Sequence, residues 1–159
     1  MDLFTKDYFN VSATIRFDIK SSRNYMYNRN RWCLALIDGG YEMAKYYRKL
    51  TEKEIGCRLN TTENKFHLTL VSGEDVNQSL WEKAIDKFQY EKINFQLSVR
   101  VGTDGTYWWL PAAGNEIIEF RNELKLFEKP YWDFHATFGI LHPFWEGQEH
   151  ILKEYTYSK

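Results

Sequence analysis

The sequence predicts an α+β fold in which antiparallel sheets carry helices on their outer faces and two lobes flank a cleft. Three observations lead there. The segments 11–19 and 93–101 alternate apolar and polar residues, the two-residue period of a strand with one buried face. Asp104-Gly105 is a strong hairpin-turn signal and requires antiparallel neighbours. Three helical patterns interleave with the strands, and a helix followed by a strand of one recurring pattern occurs twice. That weak internal symmetry suggests two lobes, each giving one such strand to the cleft.

The elements follow in order. Residues 1–30 are an N-terminal extension within a single domain spanning 1–159. In it, Val11, Ala13, Ile15, Phe17 and Ile19 alternate with Ser12, Thr14, Arg16 and Asp18, a half-buried strand over 11–19. Residues 21–31 read as a solvated loop, with Arg23, Arg29 and Arg31 interleaved with Tyr25 and Tyr27. Trp32 to Ile37 is an unbroken apolar run, which fits a strand covered on both faces. Asp38-Gly39-Gly40 then turns the chain. A helix is expected from Tyr41 to about Glu54, with Met43, Ala44, Tyr47 and Leu50 as its apolar stripe and Gly56 as its stop. Residues 60–64 are turn-like, and Lys65 to Val71 is a strand.

Asn77 caps a helix over Gln78 to Phe88, in which Leu80, Trp81, Ala84, Ile85 and Phe88 share one face. Ile93, Phe95, Leu97, Val99 and Val101 point inward along the next strand. Thr106 to Leu110 returns after the hairpin and is ended by Pro111. Asn115 caps a helix over Glu116 to Phe127 with Ile117, Phe120, Leu124 and Phe127 on its buried side, and Pro130 forbids its continuation. Tyr131 to Leu141 is the last clear strand, broken at His142-Pro143.

A chain of 159 residues can bury one substantial core. Its 21 Lys and Arg against 22 Asp and Glu leave a net charge of −1, which argues against a nonspecific grip on long nucleic acid. A small anionic ligand remains compatible. Aromatic residues make up 18%, enough to fill the core and still line a site where flat rings stack. Cys33 and Cys57 lie in no C-x-x-C pair and read as free thiols of a reducing compartment. With no apolar leader and no membrane-length run, the expected location is the cytoplasm, with no membrane partner.

The chemistry concentrates in two five-residue segments, Phe66-His67-Leu68-Thr69-Leu70 and Phe134-His135-Ala136-Thr137-Phe138. Strand parity sends the three apolar residues of each to one face and His and Thr to the other. Two of the four histidines of the chain thus sit in matching contexts. Two imidazoles across a cleft suit general acid–base chemistry, one neutral and one protonated near neutral pH. The two hydroxyls suit donation to phosphate oxygens as charge develops there. Zinc is the competing use of histidine. None of His67, His135, His142 and His150 has the helical spacing of a zinc protease, however, and no cysteine cluster joins them. A Ser or Cys nucleophile with a His base stays open, since triads are assembled in space, although no nucleophile-elbow motif is present. Lys65 and Asp133 each precede a motif histidine by two and share its face by parity: Lys65 to lend charge to a phosphate and Asp133 to orient His135 or raise its pKa, with polar strand-edge residues of no special role as the favoured alternative. Trp109 and Trp145 are candidate walls for stacking a base, with plain packing as the alternative.

The paired hydrophobic-His-x-Thr-hydrophobic motif resembles the two-histidine phosphoesterase superfamily. This group includes bacterial RNA ligase/cyclic phosphodiesterase proteins, eukaryotic RNA-end processing enzymes, viral oligoadenylate phosphodiesterases and phage anti-CBASS phosphodiesterases. The resemblance covers roughly 31–141 in element order, and its specific part is the two motifs. It implies a bilobal fold and metal-independent phosphodiester chemistry without any cofactor. His67, Thr69, His135 and Thr137 are then the catalytic residues. The phage branch implies a cyclic di- or oligonucleotide immune signal as substrate, cleaved by attack of the ribose 2′-hydroxyl. The RNA-processing branches imply an RNA end bearing a 2′,3′-cyclic phosphate. A module that sequesters a cyclic nucleotide without cleaving it is the non-enzymatic alternative.

Overall fold

Alternation that buries one face of most strands, with the strand Arg31–Ile37 buried on both faces at Cys33, Leu34 and Ala35, produces in the computed structural model one antiparallel sheet with three helices on its apolar face. The structure describes residues 7–17, 31–62, 65–130 and 132–141. Along the chain these form β1 (Tyr8–Phe17), β2 (Arg31–Ile37), α1 (Gly40–Ile55), β3 (His67–Glu74), α2 (Gln78–Phe88), β4 (Lys92–Ser98), β5 (Gly102–Thr103), β6 (Tyr107–Ala113), α3 (Asn115–Glu123) and β7 (His135–Ile140). The strand order is β3-β2-β1-β4-β6-β5, and β7 pairs with the other side of β6. β3 and β7, remote along this path, lie against each other, so the sheet is nearly closed. No helix is long and apolar enough to cross a membrane, among the described residues.

The register shows why the faces segregate. Ala13 pairs with Ile37, Ile15 with Ala35 and Phe17 with Cys33, all buried. Across β4, Val11 opposes Phe95 and Ala13 opposes Ile93. Leu68 and Leu70 of β3 and Ala136 and Phe138 of β7 complete the same core. Onto it the helices lay Ala44 of α1, Trp81 and Ala84 of α2, and Ile117 and Phe120 of α3. Trp81 meets Phe17 edge to face with ring centroids 4.9 Å apart, a favourable quadrupole arrangement. The opposite face of the strands carries Ser12, Thr14, Arg16, His67, Thr69, Asn94, Gln96, His135 and Thr137, none of them fully buried.

Local signals account for the helix ends. Asn77 accepts from the backbone N–H groups of Ser79 and Leu80 and so caps α2. Gly56 ends α1 at φ 71°, a left-handed conformation that glycine adopts without strain, and its N–H donates to Glu52 O.

Several expectations need correction. In α1, Leu50 is exposed, and Thr51 faces the core instead. β4 stops at Ser98, which is buried, so Val99 and Val101 lie outside the strand and exposed. The hairpin therefore joins β6 to the two-residue β5 rather than to a continuous β4. Pro111 does not end β6, which runs on to Ala113. Leu97 of β4 pairs with Ala112 and Gly102 of β5 pairs with Trp109, so Pro111 falls in the gap between these two ladders, where no N–H is needed. α3 starts at Asn115 itself, behind Gly114, and no side chain caps it. It ends at Glu123, which leaves Phe127 exposed, while Arg121 takes the buried position. The second motif strand begins at His135 rather than residue 131. Arg31, expected as the end of a loop over 21–31, instead opens β2, while the rest of that loop, the end of the strand over 11–19, His142, Trp145 and His150 lie outside the described residues.

Candidate active site

β3 and β7 are the strands that meet where the sheet nearly closes, and each begins with a motif histidine. Both segments split as strand parity requires. Leu68, Leu70, Ala136 and Phe138 are buried, whereas His67, Thr69, His135 and Thr137 are half-buried on the other face. Leu36 and Leu34 of β2 stand beside His67 and Thr69. Pro111 and Trp109 of β6 stand beside His135 and Thr137.

The two imidazoles are held in the same way. Nδ1 of His67 is 2.7 Å from the carbonyl oxygen of Lys65, and Nδ1 of His135 is 2.7 Å from that of Asp133. A carbonyl only accepts, so each Nδ1 carries the proton and donates it. Nε2 is then the ring nitrogen left to exchange a proton with a ligand. The chain bends back just before each strand, and this supplies both carbonyls two residues upstream.

The two rings are electrostatically coupled. Burial pushes the pKa of His67 down; the Lys65 carbonyl works against this, and the charge of His135 lowers it further. His67 is therefore biased to the neutral form. The carboxylate of Asp133 also feels His135, although its Lys129 partner is the larger cause of its lowered pKa.

The supporting residues differ from expectation in their manner of action. The Asp133 carboxylate, exposed and 2.6 Å from Lys129 Nζ, does not orient His135; the Asp133 backbone does. Lys65 is exposed ahead of β3, and what it gives His67 is its carbonyl. Trp109 is half-buried on the histidine face, its ring centroid 5.5 Å from that of His135 and tilted by 55°. Trp108 and Leu110, of opposite parity, are in the core.

Two contributors escaped the sequence reading. Gly102 faces Trp109 so closely that a Cβ there would lie 2.7 Å from the indole Cε2. Gly102→Ala should push the indole off its seat beside His135, read as a shift in tryptophan emission. An unchanged spectrum would show that Trp109 is not held by this contact. The other is Arg121, whose guanidinium donates to Leu70 O and Glu74 in β3 and to Phe127 O, while lying 5.8 Å from the ring of Phe134.

A hollow of about 150 Å³ lies elsewhere, lined by Phe88, Lys92, Phe120 and the carboxylates of Glu116, Glu119 and Glu123. None of its lining residues belongs to β3 or β7. Its ionisable groups are three glutamates and one lysine, and no histidine lines it. Comparison with protein-family models, curated proteins and solved structures finds no match.

Proposed function

We propose that this chain is a metal-independent phosphodiesterase of the two-histidine type, cleaving 3′–5′ bonds of ribonucleotides, with cyclic oligonucleotide signals as its substrates. The observation that carries the reading is the matched pair of Nδ1–carbonyl bonds on strands that meet. Each bond leaves the Nε2 of its ring to exchange a proton, and the charge of His135 is felt at His67.

The reading carries a two-lobed arrangement with it, and a weak seam in the single sheet is compatible with one. β4 and β6 pair only at Gln96 with Ala113 and Leu97 with Ala112, so the sheet is weakly joined there. On this reading the strands β3-β2-β1-β4 make up the lobe that carries His67, and β5-β6-β7 the lobe that carries His135. A barrel of so few strands has no room for helices inside. With the helices on the apolar face, a curling sheet turns its polar face inward, towards the cleft.

The proton bookkeeping follows from His67. Held neutral, His67 Nε2 removes the proton of the ribose 2′-hydroxyl. The 2′ oxygen attacks phosphorus, the P–O5′ bond breaks, and protonated His135 Nε2 gives its proton to the departing 5′ oxygen. Thr69 and Thr137 donate to the non-bridging oxygens. The products are a 2′,3′-cyclic phosphate and a 5′-hydroxyl.

Incubation with a panel of cyclic ribonucleotides and their 2′-deoxy counterparts, in chelator, tests this. The ribonucleotides should be opened to a 2′,3′-cyclic phosphate end and the deoxy forms should survive. A base must be unprotonated to act, so kcat/KM should fall as pH drops through the pKa of His67. That limb should lie below the ordinary histidine value of about 6.5. Recovery of every ribonucleotide intact would leave only a binding role.

A further inference from the structure

Arg16 sits on the histidine-bearing face of β1, in the row Arg16–Leu34–Thr69 that crosses β1, β2 and β3. Two strand spacings, about 9–10 Å, separate its Cα from that of Thr69. Its guanidinium lies 4.9 Å from the ring centroid of Tyr90. Its Nε is buried and has no hydrogen-bond partner among the described residues. No carboxylate pairs with it there either. The neighbouring cation on this face differs: Lys92 is neutralised by Asp38 at 2.8 Å and also donates to the Thr14 hydroxyl. A half-buried guanidinium with a buried, unmade hydrogen bond carries a desolvation cost that an anionic ligand would remove. Arginine offers such a ligand a rigid fork of donors. Tyr90 holds one side of the guanidinium and is itself 64% exposed, leaving ring surface for a base.

We propose that Arg16 and Tyr90 form a second subsite that grips a phosphate other than the one under attack, so that the substrate is a nucleotide with at least two phosphates. This rests on the phosphodiesterase reading and gives the second phosphate of its substrate a place on the protein. A nucleotide whose single phosphate lies between the histidines leaves Arg16 unsatisfied. A cyclic dinucleotide, or a linear one bearing a 5′-phosphate, satisfies both places.

The test compares a linear dinucleoside monophosphate with its 5′-phosphorylated form and with the cyclic dinucleotide. The wild type should favour the two-phosphate substrates by roughly 10–100-fold in kcat/KM, mainly through KM. Arg16→Ala should abolish most of that preference, and Arg16→Lys, which keeps a point charge, should restore part of it. Equal losses of Arg16→Ala on all three substrates, or a wild type without preference, would overturn the subsite. A separate arm measures equilibrium binding of the 2′-deoxy cyclic dinucleotide, which lacks the attacking hydroxyl. Weaker binding by Arg16→Ala supports the subsite even where no turnover is seen, an outcome that removes the phosphodiesterase reading alone. Equal binding by both proteins, with ribonucleotide turnover intact, removes the subsite alone.

Discussion

His67→Ala and His135→Ala should each lower kcat by roughly 10²–10⁴, the usual worth of a positioned general acid or base. Folding should survive in both. Each strand is anchored by its other face, through Leu68 and Leu70 in β3 and through Ala136 and Phe138 in β7, and these contacts do not involve the rings. The hydrogen bond lost with each ring runs to a carbonyl near the surface, worth about 1 kcal/mol. The two variants should differ in one respect that a structural role would not produce. If His135 protonates the leaving oxygen, a substrate with an acidic leaving group, such as a nitrophenyl ester, needs no such help. That substrate should recover much of the rate of His135→Ala and little of the rate of His67→Ala, because the attacking hydroxyl still needs its base. Equal recovery would exchange or dissolve the two roles. Wild-type turnover in either variant would end the acid–base assignment.

The faces of the two candidate-site strands were legible because they are written in strand parity, which is local. Phe66-His67-Leu68-Thr69-Leu70 reveals which residues share a face without any knowledge of a partner strand. That β3 and β7 meet depends on sheet order, for which the sequence offered only the repetition of the motif. Errors fell where a tertiary contact overrides a periodic pattern. Val99 and Val101 continue the alternation of β4 but lie beyond its end at Ser98. Pro111 reads as a terminator unless the gap between two ladders is known. Arg121 stands four residues after Ile117 and three before Leu124, squarely on the buried stripe of α3. The periodicity pointed to it. Its charge argues the other way, because an arginine is buried only when its partners are in place.

Those partners make Arg121→Ala the substitution with the largest expected effect on stability, about 3–5 kcal/mol. Its side chain is fully buried, with one carboxylate oxygen of Glu74 at 2.7 Å from Nη1 and the other at 2.6 Å from Nη2. It also satisfies two carbonyls, Leu70 O in β3 and Phe127 O beyond α3. Alanine would orphan all of these acceptors at once and open a void beside Phe134, the residue that leads into His135. Urea unfolding should show a lower midpoint with an unchanged slope. Glu74→Gln should also destabilise, because it leaves a buried guanidinium without its counter-charge. Replacing both residues with apolar ones of similar volume should recover much of the loss, since the pair itself is costly to desolvate. Burial pushes the pKa of Glu74 up, but the Arg121 hydrogen bonds, the Ser72 N–H and the Arg121 charge together outweigh it and hold the carboxyl below its ordinary value. A depressed folded value means that the unfolded chain binds the proton more readily. The contribution is therefore complete above the ordinary carboxyl pKa and is lost as pH falls through the folded one. In Arg121→Ala that part of the acid limb should vanish from the pH–stability curve. A variant that stays within about 1 kcal/mol of wild type, with its acid limb intact, would show that β3 and the segment entering β7 are held in register by their core contacts without this clamp.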